Sequence, residues 1–350
     1  MNQVAVRFLA SSFHAAAILL LANAIGTNAQ VRTEQIDRAL FVPLGGIDQW
    51  INIRGENRAN PVLLVVHGGP GEAQWPQAEI YRSWETAFTV VQWDQRGAGH
   101  TFGRYGTNTP DVTLDRISKD GIELAEYLCR DLGKKKIIVL GHSWGSLVAT
   151  RMVQMRPDLF AAYVGTGQVA SWMAMVNIQY DLLLAKAHKD GTQATVKELE
   201  AIARPGPTNG DHWSFLGKYN FRSLWAPSDQ EWLQHLRSQE AELKAREPEQ
   251  FKNLEDGMQF TGERVVPDQI ATDLPKTACD IHTAYFVIQG HDDVITPTQA
   301  VIEYFKCVKA PKKELILVPD GGHFAFMTAS DKFLEALSTK VRPVAIARGA

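Results

Sequence analysis

Short apolar runs alternate along the chain with loops that are rich in glycine and polar residues. Runs of consecutive aliphatic and aromatic residues are typical of strands that are buried on both faces of a parallel sheet. An antiparallel hairpin is predicted over residues 39–55, and a helix over residues 114–132. The strands predicted from the apolar runs are 61–67, 89–93, 137–140, 161–166, 284–289 and 314–319. This order of elements predicts an α/β fold with a mostly parallel, doubly wound sheet.

The alternation of strand and helix stops between residues 168 and 282. We therefore predict a helical cap, or lid, over residues 168–282, inserted into an α/β domain of residues 30–167 and 283–350. The helices predicted within the cap are 180–188, 195–203 and 229–246. The tryptophans of this segment are expected to pack within the cap rather than to contact a ligand: Trp172, Trp213, Trp225 and Trp232.

The two ends of the chain differ from the rest. Residues 1–29 have the layout of a secretory signal peptide: Arg7 precedes an apolar stretch, and small residues then offer cleavage after Ala24 or Ala29. The apolar stretch is well short of the roughly 20 residues that a membrane span needs. We therefore predict export, to the periplasm or the medium, with no stable membrane insertion after cleavage. At the other end, a helix from Lys332 is expected to be followed by a loose tail.

The composition is that of an ordinary globular protein, with 45% hydrophobic residues, 21% charged residues and a net charge of -3. The one basic run, 134–136, is short, so nucleic-acid binding is not expected. The spacing of Cys129, Cys279 and Cys307 fits neither a metal site nor a redox pair, and no metal or cofactor is predicted. In an oxidising compartment Cys279 and Cys307 are the favoured bridge, with free thiols as the alternative. The oligomeric state is left open.

The predicted strand 137–140 runs directly into Gly-His-Ser-Trp-Gly at residues 141–145, and an apolar stretch of helical character follows. A Gly-x-Ser-x-Gly sequence between a strand and a helix is typical of a nucleophile elbow. A Cβ atom at Gly141 or Gly145 would crowd the close backbone approach that such a turn needs. Ser143 would lie at a helix N-terminus, where free N–H groups favour developing negative charge. We therefore predict that Ser143 is a nucleophile.

Acyl transfer by serine needs an imidazole to accept its proton and a carboxylate to orient that imidazole. In nucleophile-elbow folds these residues follow in the order Ser, Asp, His, each after a strand. Asp292-Asp293 and His323 follow the last two predicted strands. Asp293 is preferred because it lies three residues after Gly290 and four before Pro297, and Asp292 remains the alternative.

The tetrahedral intermediate of such a reaction needs two N–H donors near its oxygen. The residue directly after the nucleophile, Trp144, would supply one. The second is expected from Gly69, in the Gly-rich loop that follows the first buried strand. These two backbone N–H groups form the predicted oxyanion hole.

Three motifs together resemble the α/β-hydrolase superfamily and, within it, the proline iminopeptidase-like serine peptidases. They are His-Gly-Gly-Pro-Gly at 67–71, Trp-Asp-Gln-Arg-Gly-Ala-Gly at 93–99 and Gly-His-Ser-Trp-Gly-Ser at 141–146. The resemblance implies an α/β-hydrolase fold, a Ser143/Asp293/His323 triad and an oxyanion hole from Gly69 and Trp144. It also implies removal of the N-terminal residue from peptides. Asp94 and Arg96 of the second motif are expected to be structural, pairing around their loop.

The predicted cap departs from this family. Prolyl aminopeptidases hold the free amine of the substrate with glutamates in a Trp-Glu pair and an Ile-Glu-Asn run, and the predicted cap has neither. Its acidic residues Asp211, Glu240 and Glu242 are explained by a solvated helix face.

The sequence therefore predicts a serine hydrolase that cleaves an amide or an ester of a short peptide or small molecule. Aminopeptidase activity on short peptides is the first interpretation. An exported esterase or lactonase that acts on a hydrophobic small molecule is the alternative. A non-catalytic binding protein on a hydrolase scaffold is disfavoured because every member of the triad is present.

Overall fold

The computed structural model of the protein describes residues 34–350, so the predicted signal peptide lies outside the described residues. Its eight strands are β1 (Ile36–Leu44), β2 (Ile47–Gly55), β3 (Val62–Val66), β4 (Thr89–Trp93), β5 (Ile137–His142), β6 (Phe160–Thr166), β7 (Ala284–Gly290) and β8 (Lys313–Val318). They form one sheet in the order β1-β2-β4-β3-β5-β6-β7-β8. β2 pairs antiparallel with β1 and β4, and the other neighbouring strands are parallel.

Every residue of β3, β4, β5, β6 and β7 is buried. A strand that is covered on both faces needs apolar residues at consecutive positions, which explains the uninterrupted apolar runs of the sequence. The structure thereby confirms the predicted hairpin and the mostly parallel α/β sheet. Because the strands from β3 to β8 are parallel, their carboxyl ends lie at one edge of the sheet, where the loops with the predicted site residues begin.

Three α-helices lie in the chain before β6: α1 (Gly99–Tyr105), α2 (Leu114–Leu132) and α3 (Trp144–Met155). The predicted helix over 114–132 is confirmed as α2. Thr113 caps its N-terminus by accepting a hydrogen bond from the backbone N–H of Arg116, and Gly133 ends it in a left-handed conformation. A 3₁₀ helix, Trp75–Thr86, lies between β3 and β4.

A helical insertion of residues 172–277 separates β6 from β7. It consists of α4 (Trp172–Lys189), α5 (Gln193–Ile202), α6 (His212–Lys218), α7 (Pro227–Arg246), α8 (Pro248–Ile270) and α9 (Leu274–Thr277). The three helices predicted here correspond to α4, α5 and α7.

The longest helix, α8, does not follow from the sequence pattern, because Gly257, Gly262 and Pro267 interrupt it. Gly257 lies where α8 packs against the segment that leads into α1. A Cβ atom at this position would lie 2.9 Å from the carbonyl oxygen of Gly97 and 3.2 Å from the side chain of Phe102. Tertiary packing therefore outweighs the low helix propensity of this segment.

The chain ends in helices, and the predicted loose tail is wrong. The helices after β7 are α10 (Thr298–Cys307), which precedes β8, and then α11 (Ala325–Thr328), α12 (Ser330–Ala336), a π-helical turn (Leu337–Val341) and α13 (Arg342–Ala347). Ala345 is fully buried, and Arg348 Nε donates a hydrogen bond to the carbonyl oxygen of Ala161 in β6 at 3.2 Å. The last residues are ordered because they cover one face of the sheet.

Two apolar cores lie on opposite faces of the sheet, because alternate residues of each strand point to opposite sides. Leu64 of β3 belongs to the core formed with α2 and α3, whereas its neighbours Leu63 and Val65 belong to the other. In the second core Trp84 stacks on Phe333 of α12 at 5.5 Å between ring centroids. Among residues 34–350, no helix is long and apolar enough to cross a membrane.

The expected pairing of Asp94 with Arg96 in the loop after β4 is wrong. Arg96 is fully buried and binds Asp120 of α2, with 2.8 Å between Nε and Oδ2. Asp94 Oδ2 instead accepts hydrogen bonds from the backbone N–H of His100 at 2.8 Å and from its Nδ1 at 2.9 Å. The two residues thus hold the loop through separate partners: Asp120 belongs to α2, and His100 lies in the first turn of α1.

Cys279 and Cys307 form a disulfide bond, which confirms the favoured pairing, and Cys129 is a half-buried free thiol. The bridge joins the segment that leads into β7 to the end of α10, with a separation of 28 residues. It therefore closes the loop that contains Asp293.

Reduction of this bridge is expected to destabilise the fold. Closure of a loop of this length lowers the entropy of the unfolded chain and stabilises the folded state by on the order of 3 kcal/mol. A Cys279→Ser/Cys307→Ser variant should lose about that much free energy of unfolding in urea titrations, and Cys129→Ser serves as the control that leaves the bridge intact. Equal stability of the double variant and the oxidised wild-type protein would contradict this role, as would a wild-type protein whose stability does not change on reduction.

Candidate active site

Ser143 lies in a strained turn between β5 and α3. Its backbone has φ 53° and ψ −123°, a conformation that is uncommon for a residue with a side chain. Its backbone N–H donates to the carbonyl oxygen of Thr166 at the end of β6, at 3.0 Å. The side chain is half-buried and lines a cavity at the carboxyl edge of the sheet. This is the geometry of a nucleophile elbow.

Close backbone contact forces glycine at the position two residues after the serine. A Cβ atom at Gly145 would lie 2.0 Å from the carbonyl oxygen of Val66 in β3, so no other residue fits there. The first turn of α3 consequently rests directly on the end of β3. The same contact brings the elbow close to the loop that follows β3.

His323 and Asp293 form a hydrogen-bonded pair beside the elbow. His323 Nδ1 lies 3.0 Å from Asp293 Oδ2, and both side chains are almost fully buried. The carboxylate is itself held: Oδ1 accepts from the backbone N–H groups of Ile295 and Thr296, at 2.8 and 2.9 Å. Gln289 Nε2 and Thr296 Oγ1 donate to Oδ2. Asp293 is thereby oriented toward the imidazole.

Asp292 faces away from this pair. Its side chain is about half exposed and contacts His291, with 2.6 Å between Asp292 Oδ1 and His291 Nδ1. The geometry thus favours Asp293 over Asp292, as the spacing in the sequence does.

Two free backbone donors border the cavity next to Ser143. The N–H groups of Gly69 and Trp144 have no hydrogen-bond acceptor within residues 34–350. Gly69 has φ +107°, and a Cβ atom there would lie 2.6 Å from the backbone nitrogen of Glu72, so only glycine fits. Both residues line the cavity. They are therefore placed to donate to an oxyanion.

The pKa of His323 lies above its ordinary value of 6.5. Burial lowers this pKa, but the charge of Asp293 and the hydrogen bond to it raise the pKa by more. Asp229 and Glu72 add to the rise through their charges. The neighbouring His142, whose ring centroid lies 4.9 Å from that of His323, has a pKa well below its ordinary value because it is buried beside an imidazole that can carry charge. The site thus favours protonation of His323 over that of His142.

The cavity has a volume of about 830 Å³, which is enough for a dipeptide-sized or drug-sized molecule. Most of its lining is apolar. Three of the four tryptophans of the helical insertion line it and are thus placed beside a ligand as well as packed in the insertion, whereas Trp232 contacts His235. The tryptophans that border the cavity are Trp144, Trp172, Trp213 and Trp225.

Three carboxylates also line the cavity: Glu72, Glu240 and Glu263. Among the lining residues, Arg222 is the one Lys or Arg side chain. Three carboxylates against one guanidinium give the cavity an excess of acidic groups. Burial, together with the charge of Glu240, raises the pKa of Glu72, and the charge of His323 opposes the rise. Glu240 is exposed to solvent, as a solvated helix face requires, and it also borders the cavity. Asp211 and Glu242 do not border the cavity.

Glu72 was not singled out from the sequence, although a signal was present. It follows the His-Gly-Gly-Pro-Gly motif directly and is thus a charged residue in a Gly-rich loop at a strand end. Within residues 34–350 no group of His, Cys, Asp or Glu side chains has the arrangement of a metal site.

The sequence model of the α/β hydrolase fold family matches residues 61–330. A probable aminopeptidase, YbaC, of Bacillus subtilis is 26% identical over 326 residues, covering 85% of this chain and 94% of that protein. A proline iminopeptidase of Lacticaseibacillus rhamnosus is 24% identical and covers 85% of this chain and 95% of that protein.

Solved structures agree in fold. The crystal structure of a proline iminopeptidase-related protein from Thermus thermophilus superimposes with a TM-score of 0.60 at 19% identity, covering 89% of this chain and 98% of that one. The crystal structure of a putative lipase from Acinetobacter baumannii superimposes with a TM-score of 0.58 at 13% identity, covering 89% of this chain and 93% of that one. At these identities the likeness concerns the fold alone. Because the family match spans well over half of the chain, the protein belongs to the α/β-hydrolase fold family and is a hydrolase that resembles the proline iminopeptidases.

Proposed function

We propose that the protein is a serine hydrolase that uses Ser143, His323 and Asp293, and that it removes N-terminal residues from short peptides. The observation that carries the peptide assignment is the group of carboxylates, Glu72, Glu240 and Glu263, in the same cavity as Ser143 and His323. A cavity of acidic balance favours a substrate with a positive charge, and the free α-amine of a peptide supplies one.

In this mechanism Ser143 Oγ attacks the carbonyl carbon of the scissile bond, and His323 accepts the hydroxyl proton. Asp293 keeps the proton of His323 on Nδ1 and stabilises the imidazolium that forms. The oxyanion accepts hydrogen bonds from the N–H groups of Gly69 and Trp144. His323 then gives its proton to the leaving amine, and the same steps with water release the acyl group from Ser143.

Glu72 is the best-placed carboxylate for the substrate amine. It lies three residues after Gly69, so the loop that donates to the oxyanion also presents the carboxylate. Its pKa is raised by burial and by Glu240, and an ammonium group between the two carboxylates would relieve their repulsion. Substrates with a blocked amine lose this interaction. The helical insertion, as a cap of residues 168–282, would supply Glu240 and Glu263 to the same subsite.

An esterase or lactonase is the second candidate, and the apolar lining of the cavity favours it. Four tryptophans border the cavity, and an uncharged hydrophobic ester would bury its surface against them. The two candidates share the same nucleophile and differ in whether the carboxylates contribute to binding.

We further propose that the protein is exported. Support comes from the signal-peptide pattern of residues 1–29 and from the Cys279–Cys307 disulfide, since such bonds persist in oxidising compartments. Intact-mass analysis of the native protein is expected to show a chain that begins after Ala24 or Ala29 and contains one disulfide. A full-length chain with three free thiols would contradict export.

Replacement of Ser143 by alanine is expected to lower kcat by about 10⁶-fold for every substrate, because no other side chain can form the acyl-enzyme. The variant should keep the thermal stability of the wild-type protein, since the change removes a single hydroxyl from a half-buried side chain. Turnover of an aryl ester and of a proline arylamide, measured with both proteins, checks the expectation. Residual activity close to that of the wild type would exclude Ser143 as the nucleophile.

The Glu72→Gln variant is expected to raise KM for proline arylamide by about 10- to 100-fold, since a hydrogen bond to a charged group contributes about 1.5–3 kcal/mol. KM for a neutral aryl ester should stay within about twofold. Glu242→Gln is the matched control, because Glu242 is an exposed glutamate of α7 that does not border the cavity. A parallel loss with both substrates, or no loss with either, would argue against amine binding by Glu72.

A further inference from the structure

A carboxylate of the helical insertion binds the backbone of His323. Asp229, near the N-terminus of α7, is buried at 2% exposure. Its Oδ2 accepts a hydrogen bond from the backbone N–H of His323 at 2.6 Å, and its Oδ1 accepts one from the N–H of Phe324 at 3.1 Å. One side chain thus holds two consecutive amides, one of which belongs to the proposed general base.

The loop sequence before His323 makes room for this carboxylate. A Cβ atom at Gly322 would lie 2.1 Å from Asp229 Oδ2 and 2.8 Å from the Cβ of Ala226. Glycine at this position therefore permits the close approach of α7 to the loop. The neighbouring Ser228 adds a second contact, because its Oγ donates to the carbonyl oxygen of Asp320 at 3.1 Å.

Stability alone gives a weak reason for this arrangement. Within residues 34–350 no Lys or Arg pairs with Asp229; burial raises its pKa, and the two N–H donors and the charge of His323 counteract the rise. Burial of a carboxylate without a Lys or Arg partner costs desolvation free energy, so the arrangement adds little to stability. A function that needs the charge and the two acceptor atoms at this place accounts for it better.

We propose that Asp229 is a positioning residue for the triad, which fixes the backbone of His323 from the helical insertion and sets the electrostatic surroundings of its imidazole. The proposal rests on the proposed role of His323 as the general base. Two hydrogen bonds to adjacent amides fix both the place and the direction of the loop. Errors of about 1 Å in such positions can lower rates by about 10²-fold.

Four titratable groups face His323 from the elements packed against it. Asp293 comes from the loop after β7, Asp229 from α7, Glu72 from the loop after β3 and His142 from the end of β5. The carboxylates favour the imidazolium, and His142 stays neutral. Because the general base must be neutral, the acid limb of kcat/KM in the wild-type protein is expected above pH 6.5.

The test is an isosteric, neutral replacement, Asp229→Asn, followed by labelling of Ser143 with a fluorophosphonate as a function of pH. In this reaction Ser143 Oγ forms a bond to phosphorus, fluoride leaves, and His323 takes the proton. The NH₂ group of asparagine cannot accept a hydrogen bond from a backbone N–H, so one of the two bonds to the loop is lost. The labelling rate at the high-pH plateau should therefore fall by about 10- to 100-fold. Loss of the negative charge lowers the pKa of His323, so the acid limb should move to lower pH.

Two further variants complete the design. Glu231→Gln, an exposed glutamate two residues along α7, is the matched control and should keep both the plateau rate and the acid limb. Gly322→Ala keeps the charge of Asp229 but forces the loop away from it. It should lower the plateau rate with a smaller movement of the acid limb, and if Asp229→Asn does not fold, a wild-type plateau rate in Gly322→Ala overturns the proposal.

A folded Asp229→Asn protein with wild-type rates would overturn the proposal, and so would a slower protein with an unmoved acid limb, which indicates mere packing. Ser143→Ala separates this failure from failure of the proposed function. If labelling requires Ser143 but its rate and pH dependence are unchanged in Asp229→Asn, only the positioning role is rejected. Labelling that does not require Ser143 rejects both.

Discussion

The site depends on the close packing of backbone at the carboxyl edge of the sheet. The first turn of α3 lies so near the end of β3 that a Cβ atom at Gly145 would be 2.0 Å from the carbonyl oxygen of Val66. This contact places the strained Ser143 beside the loop that contains Gly69 and Glu72. A single steric constraint therefore brings together the proposed nucleophile, both free N–H donors and a carboxylate. The Asp293–His323 pair then completes the arrangement from the far side of β6.

Helix α7 connects the two halves of this site. Its N-terminal turn holds the backbone of His323 through Asp229, and Glu240, eleven residues further on, borders the substrate cavity. At 1.5 Å per residue these positions are about 16 Å apart along one rigid helix. The same element would therefore position the general base and recognise the substrate. In this proposal the helical insertion takes part in catalysis as well as in enclosing the cavity.

The sequence predicts those parts of the fold that depend on local pattern. Buried strands need uninterrupted apolar runs, and each residue proposed for the chemistry lies in the loop or turn that follows such a run. Ser143, Asp293 and His323 could therefore be named from the motif and their positions, with Asp292 as the alternative to Asp293. Features that depend on tertiary contact could not. The helix α8 carries Gly257, whose close contacts appear only where α8 packs against α1 and the segment before it, and α13 packs on the sheet although it resembles a tail. Asp229 lies far apart in sequence from His323, whose backbone it binds, and Glu72 is far from Glu240, with which it shares the cavity.

We propose that one cavity joins a serine nucleophile to carboxylates that select a free amine. The most direct measurement is the ratio of kcat/KM for an amino-acid arylamide with a free amine to that for its N-acetylated counterpart, in the mature wild-type protein. Ionic recognition of the amine predicts a ratio of about 10 or more, because a hydrogen bond between charged groups contributes about 1.5–3 kcal/mol. Equal cleavage of the free and acetylated amides, together with faster cleavage of simple esters, would contradict the claim and identify an esterase.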